Sequence, residues 1–176
     1  MRKSNRSSLA ALVIVPAIGL SLALSGCSLF KRTDESEPAP AGAATRMYTM
    51  TKEAEDDPNF KLTRVTVEPT RTILDVTMYG GDKDSFTIHV APVGQPNTLF
   101  LETTDGKKIP LVSSVGVAVD PAADTIMPGQ SKSFSLIFGP LDPAVRKFHV
   151  FEGEAAKNPE TKKNDELWAF RDVELK

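Results

Sequence analysis

From Lys61 onward the sequence predicts an all-β fold, a two-sheet antiparallel sandwich of about seven to eight short strands. Apolar and polar residues alternate with period two, which makes one face of a strand apolar and the other wet. Gly-, Pro- and Asp-rich punctuation separates the alternating runs. No long apolar stripe at helical spacing interrupts the series.

The runs follow in order. Val65 and Val67 alternate with Thr66 and Glu68, and Pro69-Thr70 ends that run. Leu74, Val76 and Met78 alternate with Asp75 and Thr77, and Gly80-Gly81-Asp82 leads to Phe86, Ile88 and Val90, which alternate with Thr87 and His89. Asp105-Gly106 between residues 99–102 and 109–111 is a strong hairpin signal. Pro128-Gly129 precedes Phe134, Leu136 and Phe138, which alternate with Ser133 and Ser135. Gly139-Pro140 and Asp142-Pro143 separate that run from Phe148 and Val150. Trp168, Phe170, Val173 and Leu175 finish the series with a slip near Arg171. A sheet with one wet face is typically antiparallel.

The N-terminal third is built differently. Arg2, Lys3 and Arg6 precede an apolar stretch from Leu9 to Leu24 that contains Pro16 and Gly19; Ser25, Gly26 and Cys27 follow. This is the charged, apolar, small-residue order of a secretory signal peptide, and the stretch is too short and too broken to span a membrane as a helix. Leu24-Ser25-Gly26-Cys27 resembles the lipobox of bacterial lipoproteins at all four positions, and Cys27 is the chain's only cysteine. The resemblance implies that the Cys27 thiol takes a diacylglyceryl group, that residues 1–26 are cut away, and that the new amine is commonly acylated. Several acyl chains hold a protein on a membrane stably where one does so only marginally. The next residues are Ser28 and Leu29 rather than Asp, which in that family favours the outer membrane where the source has one. The expected address is thus the cell envelope.

Residues 31–46 are rich in Pro, Ala, Gly and charge and show no apolar periodicity, so they cannot bury enough surface to offset the entropy of ordering them. They read as a tether spanning on the order of 20–25 Å. Residues 47–51 can form a first edge strand, and residues 53–59 read as an acidic turn. The expected organisation is therefore a signal peptide over 1–26, a lipidated N-terminus and tether over 27–60 with that edge strand left open, and a sandwich domain over 61–176. With one cysteine no intramolecular disulfide forms, so stability rests on core burial.

A second resemblance lies further along. Met127-Pro128-Gly129-Gln130, then Phe134, Leu136, Phe138 and Pro140-Leu141, then residues 148–153 ending Glu152-Gly153, are similar to the immunoglobulin-like domains of secreted bacterial lipoproteins. The similarity covers about residues 60–150 or more. It implies an immunoglobulin-like sandwich and no particular activity, since fold does not fix function. The Cys–Trp–Cys core of antibody domains is absent.

Composition narrows the partners. Removing Arg2, Lys3 and Arg6 from the 21 Lys and Arg leaves 18 against 23 Asp and Glu, a balance of −5. Such a chain offers no general basic face for nucleic acid. The two histidines, His89 and His149, sit at wet positions of their runs and read first as solvated side chains. They would make a weak metal pair only if their strands were neighbours, and no third ligand at zinc-like spacing is visible. Ser131, Ser133 and Ser135 lack a G-x-S-x-G turn. Acids cluster in two loops, Asp82 with Asp84 and Asp120 with Asp124, without the calcium-loop spacing. Trp168 fits a core position, its other role being an exposed binding anchor. The expected function is non-enzymatic and without cofactor: a membrane-anchored lipoprotein whose sandwich contacts another envelope protein or stabilises an envelope assembly. The rival is a small-ligand or metal-binding lipoprotein serving a transporter, which requires a concave apolar pocket with convergent polar groups.

Overall fold

A computed structural model of the chain describes residues 44–55, 57–161 and 167–176. The expected signal peptide, Cys27 and most of the expected tether lie outside the described residues. The strands are β1 (Arg46–Ala54), β2 (Asp57–Val67), β3 (Thr72–Tyr79), β4 (Phe86–Ile88), β5 (Leu99–Thr103), β6 (Lys108–Val115), β7 (Asp124–Ile126), β8 (Ser131–Phe138), β9 (Lys147–Glu152) and β10 (Ala169–Glu174), with a short 3₁₀ helix at Glu154–Lys157. Eight strands hydrogen-bond in the order β1-β2-β3-β8-β6-β5-β9-β10, and β4 pairs with β7 in a small second sheet. All these pairings are antiparallel, as one-sided alternation requires.

The long sheet folds over on itself to make a sandwich-like core. β6 turns the corner: residues 108–110 pair with β5, and from Leu111 on the strand pairs with β8, with a bulge between Leu111 and Ser113. Bulges bend and twist a strand in this way. Phe60 of β2 then meets Phe170 of β10 across the interior at 5.0 Å and Phe134 of β8 at 6.0 Å. Leu62, Val65, Leu74, Leu101, Leu136, Phe138, Phe148 and Val150 fill the same core. Ile88 and Ile126 of the small sheet, with Val90, close one end of it.

The two ends of the long sheet approach each other. The Glu55 N–H donates to the Ala169 carbonyl at 2.9 Å, and Arg171 Nε lies 3.1 Å from the Glu55 carboxylate. The margin next to the β1–β2 turn is therefore joined to the far end of the sheet, which limits addition of a partner's strand there.

Two turns show why these residues were chosen. At the β5–β6 hairpin the Gly106 N–H closes a four-residue turn onto the Thr103 carbonyl, and Gly106 itself takes φ 84°. That is a three-residue hairpin loop ending in a left-handed glycine. Before β8 the Gln130 N–H closes onto Met127 O, with Pro128 second and Gly129 third at φ 72°, the residues a type II turn demands.

The folded part begins at Arg46 rather than at Lys61, a correction to the expected boundary. β1 alternates half-buried Tyr48 and Met50 with exposed Met47, Thr49 and Thr51, and the acidic stretch after it buries Ala54 and Phe60 around a tight turn. An edge strand is polar on the side that meets water, which masks its alternation. β7 starts at Asp124, the last acid of the loop that the sequence marks; with three residues and one buried apolar side chain, Ile126, it is too short to show a period. The slip near Arg171 is a real bulge between Phe170 and Val173, with Asp172 at φ 54°.

Candidate functional site

Trp168 and both histidines have a definite place. Trp168 immediately precedes β10 and is half-buried, its ring 4.4 Å from Phe60 and 6.4 Å from Phe134. It belongs to the edge of the core rather than standing free. His149 lies on β9; its ring stacks on Phe151 at 5.7 Å, and its Nδ1 accepts the Asp172 N–H at 3.1 Å, which supports the β10 bulge. His89 follows β4 in the small sheet, is exposed, and places Nε2 3.9 Å from Asp120 Oδ1. The structure does not bring the histidines together as a metal pair, because β4 and β9 belong to different sheets. Alternation tells which way a strand faces, not which strand lies beside it. Among the described residues no group of three His, Cys, Asp or Glu is placed to hold a metal.

Ser133, Ser135 and Asp124 are engaged locally. Ser135 Oγ donates to Asp75 Oδ1 at 2.5 Å, and Ser133 Oγ lies 2.9 Å from Thr77 Oγ1 across the β3–β8 pair. Asp124 accepts the Ala118 N–H at 2.7 Å and faces Lys132 at 3.1 Å; the backbone bond first, then the lysine, holds its carboxyl below the usual value.

Glu152 is a half-buried acid that sequence reading missed. At the end of β9 it accepts the Trp168 N–H on Oε2 at 3.0 Å, and its own N–H donates to the Trp168 carbonyl at 2.9 Å. Burial pushes its carboxyl above the ordinary 4.5; the Trp168 N–H and the nearby His89 act in the opposite sense. The folded state thus holds this proton more tightly than the unfolded chain does. Its stabilising contribution is complete below pH 4.5 and is lost as pH rises through the higher folded value. Glu152→Gln keeps an oxygen for Trp168 and removes the titration. The variant should gain stability relative to wild type as pH climbs from 4 to neutral in urea unfolding, whereas parallel pH curves would exclude this assignment.

The two outer faces differ. Over β9 and β10, Phe151 is covered by Ala156 of the 3₁₀ helix and by Leu167, and the Arg171 guanidinium lies 4.9 Å above its ring. The outer face of β1-β2-β3-β8 and the second half of β6 carries no such cover among the described residues. The register places Met47, Thr66, Ile73, Ile137 and Ser113 in one row across five strands. Met47 is 61% exposed, and on β6 Val112 and Val115 are 58% and 60% exposed. The next row is polar: Thr49, Arg64, Asp75 and Ser135, where Arg64 Nε meets Asp75 Oδ2 at 2.5 Å. Three of the five residues in the first row are apolar, and the polar row beside it ends at Val115, which pairs with Ser135. The sequence signal is Ile73, Ile137 and Val112, apolar residues on the wet phase of their strands; Val115 shares the phase of Ile109 and Leu111 and reaches the outer face through the bulge between Leu111 and Ser113.

No family model matches this sequence, and no curated protein is similar to it. Among solved structures, the yjhA protein of Bacillus subtilis is similar at 12% identity and a TM-score of 0.40, covering 74% of this chain and 96% of that one.

Proposed function

We propose that this protein is a lipid-anchored lipoprotein of the cell envelope whose immunoglobulin-like sandwich is a non-enzymatic module for contact with another envelope protein. The observation that carries the reading is the open face of the β1-β2-β3-β8-β6 layer, where Met47, Ile73, Ile137, Val112 and Val115 put apolar side chains on the outside of a sheet. Exposed apolar groups gathered beside polar residues mark interaction sites, and the row of Arg64, Asp75 and Ser135 would orient a partner more than hold it. The anchor reading rests on Cys27 and its lipobox, and the immunoglobulin-like reading on motif residues that fall at the turn before β8 and at the ends of β8 and β9.

The test is photo-crosslinking in intact cells, with the reactive amino acid at Val112 or Ile137 and, as a control, at exposed Lys83 in the β3–β4 loop. Positions 112 and 137 are expected to capture one reproducible envelope protein that position 83 does not. Equal capture from all three, or no reproducible neighbour, removes the proposal.

A further inference from the structure

We infer that the polar half of the open β1-β2-β3-β8-β6 face binds a neutral oligosaccharide; this goes beyond the protein contact proposed above, which uses the apolar row. A cavity of about 560 Å³ lies on that half, over the middle of β2, β3 and β8, with Thr49 of β1 on one side and the end of β6 on the other. A volume in this range suits a small organic ligand.

Its floor is a hydrogen-bonded network. Asp75 on β3 is the hub: Oδ2 accepts Arg64 Nε at 2.5 Å, and Oδ1 accepts Ser135 Oγ at 2.5 Å. Thr63 joins the lining at the bulge between Leu62 and Arg64 and donates Oγ1 to the Asp75 carbonyl at 3.0 Å. In the next row Thr77 Oγ1 and Ser133 Oγ lie 2.9 Å apart. Groups fixed in this way lose little freedom when a ligand arrives.

The network has hydrogen-bonding capacity to spare. Arg64 bonds within the described chain through Nε alone, so both terminal nitrogens remain to donate. Asp75 side-chain oxygens receive two bonds, and a carboxylate has about four acceptor sites. Whichever of Thr77 and Ser133 donates, the other hydroxyl keeps its hydrogen. Charge, by contrast, is closed. Arg64 is matched by Asp75, and Lys61, in the row of Thr77, lies 3.1 Å from Glu53. A surface balanced in this way gives neither an anion nor a cation an advantage. It suits an uncharged ligand that donates and accepts at many points, which is the chemistry of sugar hydroxyls.

Tyr79 supplies the apolar part of sugar recognition. It is exposed and stands two residues beyond Thr77 on the same face of β3, with Lys61 Nζ 5.8 Å from the ring centroid. A cation covers at most one face of a ring, and the other is open to the C–H face of a sugar. From Asp75 to Tyr79 the strand runs about 13 Å, the length of a short oligosaccharide. A peptide added as a strand would need a free backbone edge. The strands under the cavity floor, β2, β3 and β8, each pair on both sides.

The probes are maltotriose and triacetylchitotriose, with trigalacturonate as an acidic counterpart, read as the shift in unfolding temperature of the full chain over a titration. A ligand bound only to the folded state raises that temperature in a saturable way. Wild type is expected to saturate with a neutral sugar below about 10 mM and to bind trigalacturonate no more tightly. Tyr79→Ala should weaken binding about tenfold, the scale of a lost ring contact. A second variant keeps the test independent of that strand end. Ser133→Ile, at an exposed strand position that suits a β-branched side chain, removes a hydroxyl and fills the cavity. It should abolish the response while melting normally without sugar. No saturable shift with either neutral sugar, tighter binding of trigalacturonate, or an unchanged response in either variant each overturn the inference. Crosslinking from Val112 and Ile137 reads the apolar row, so the protein contact stands or falls separately.

Discussion

Gly153→Ala is expected to destabilise the fold by about 3–5 kcal/mol, the combined scale of a forbidden backbone conformation and an unrelieved clash. Gly153 joins β9 to the 3₁₀ helix at φ 70°, ψ 173°, a region that is essentially glycine's alone. A Cβ there would also stand 2.6 Å from the Pro96 carbonyl oxygen and 2.9 Å from the Asn97 Cα, backbone atoms with no flexible end to move aside. That backbone is tied in place: Gly153 N–H donates to Thr98 O at 3.3 Å, and Thr98 Oγ1 donates to Pro92 O at 2.6 Å while accepting the Gln95 N–H at 2.9 Å. Gly94 is the matched control, with φ 88° and open space around its would-be Cβ. Gly94→Ala should therefore lose only about 1 kcal/mol, the conformational part alone. Urea unfolding of both variants separates the two contributions, and equal losses would mean that the contact with residues 96–97 does not constrain the fold.

Gly153 also shows what kind of information the sequence carried. The pair Glu152-Gly153 marked the end of a strand, which is local and legible. That the glycine is needed because residues 96–97 pass against it is a long-range fact with no trace in neighbouring residues. The same division runs through the molecule. Alternation located β2, β3, β4, β8, β9 and β10, the Asp105-Gly106 turn located β5 and β6, and the broken phase at Arg171 located a bulge. Strand order was not legible: β3 pairs with β8 more than fifty residues away, and no local pattern specifies that. Whether the strands of His89 and His149 are neighbours is likewise a matter of strand order, and β4 and β9 lie in different sheets. The outer row was half legible, because Ile73 and Ile137 break the phase of their strands, yet only the register puts Met47 and Ser113 in the same row.

Cys27→Ala is expected to abolish lipid attachment entirely and to leave the folded domain unchanged. The chemistry requires a sulfur nucleophile, and Cys27 is the only one in 176 residues, so no other side chain can take its place. The folded part needs nothing from it, because the core runs from Ala54 to Leu175 and contains no disulfide partner. Each buried methylene of an acyl chain adds about 0.8 kcal/mol of membrane affinity, so losing two or three chains removes far more than surface contacts of the domain can restore. Membrane pelleting alone would mislead, since a variant that escapes cutting keeps the apolar stretch from Leu9 to Leu24 as an anchor. The decisive measurements are labelled palmitate incorporation and the mass of the N-terminal peptide. Wild type should carry label and begin at a lipid-modified Cys27, whereas the variant should carry none and retain residues 1–26, with an identical unfolding temperature for both domains. Label in the variant, or an unmodified Cys27 in wild type, would refute the anchor. Should the anchor hold, a variant that keeps the open face of the β1-β2-β3-β8-β6 layer but floats free of the membrane would also tell whether partner capture from Val112 depends on the face itself or on being held at the right surface.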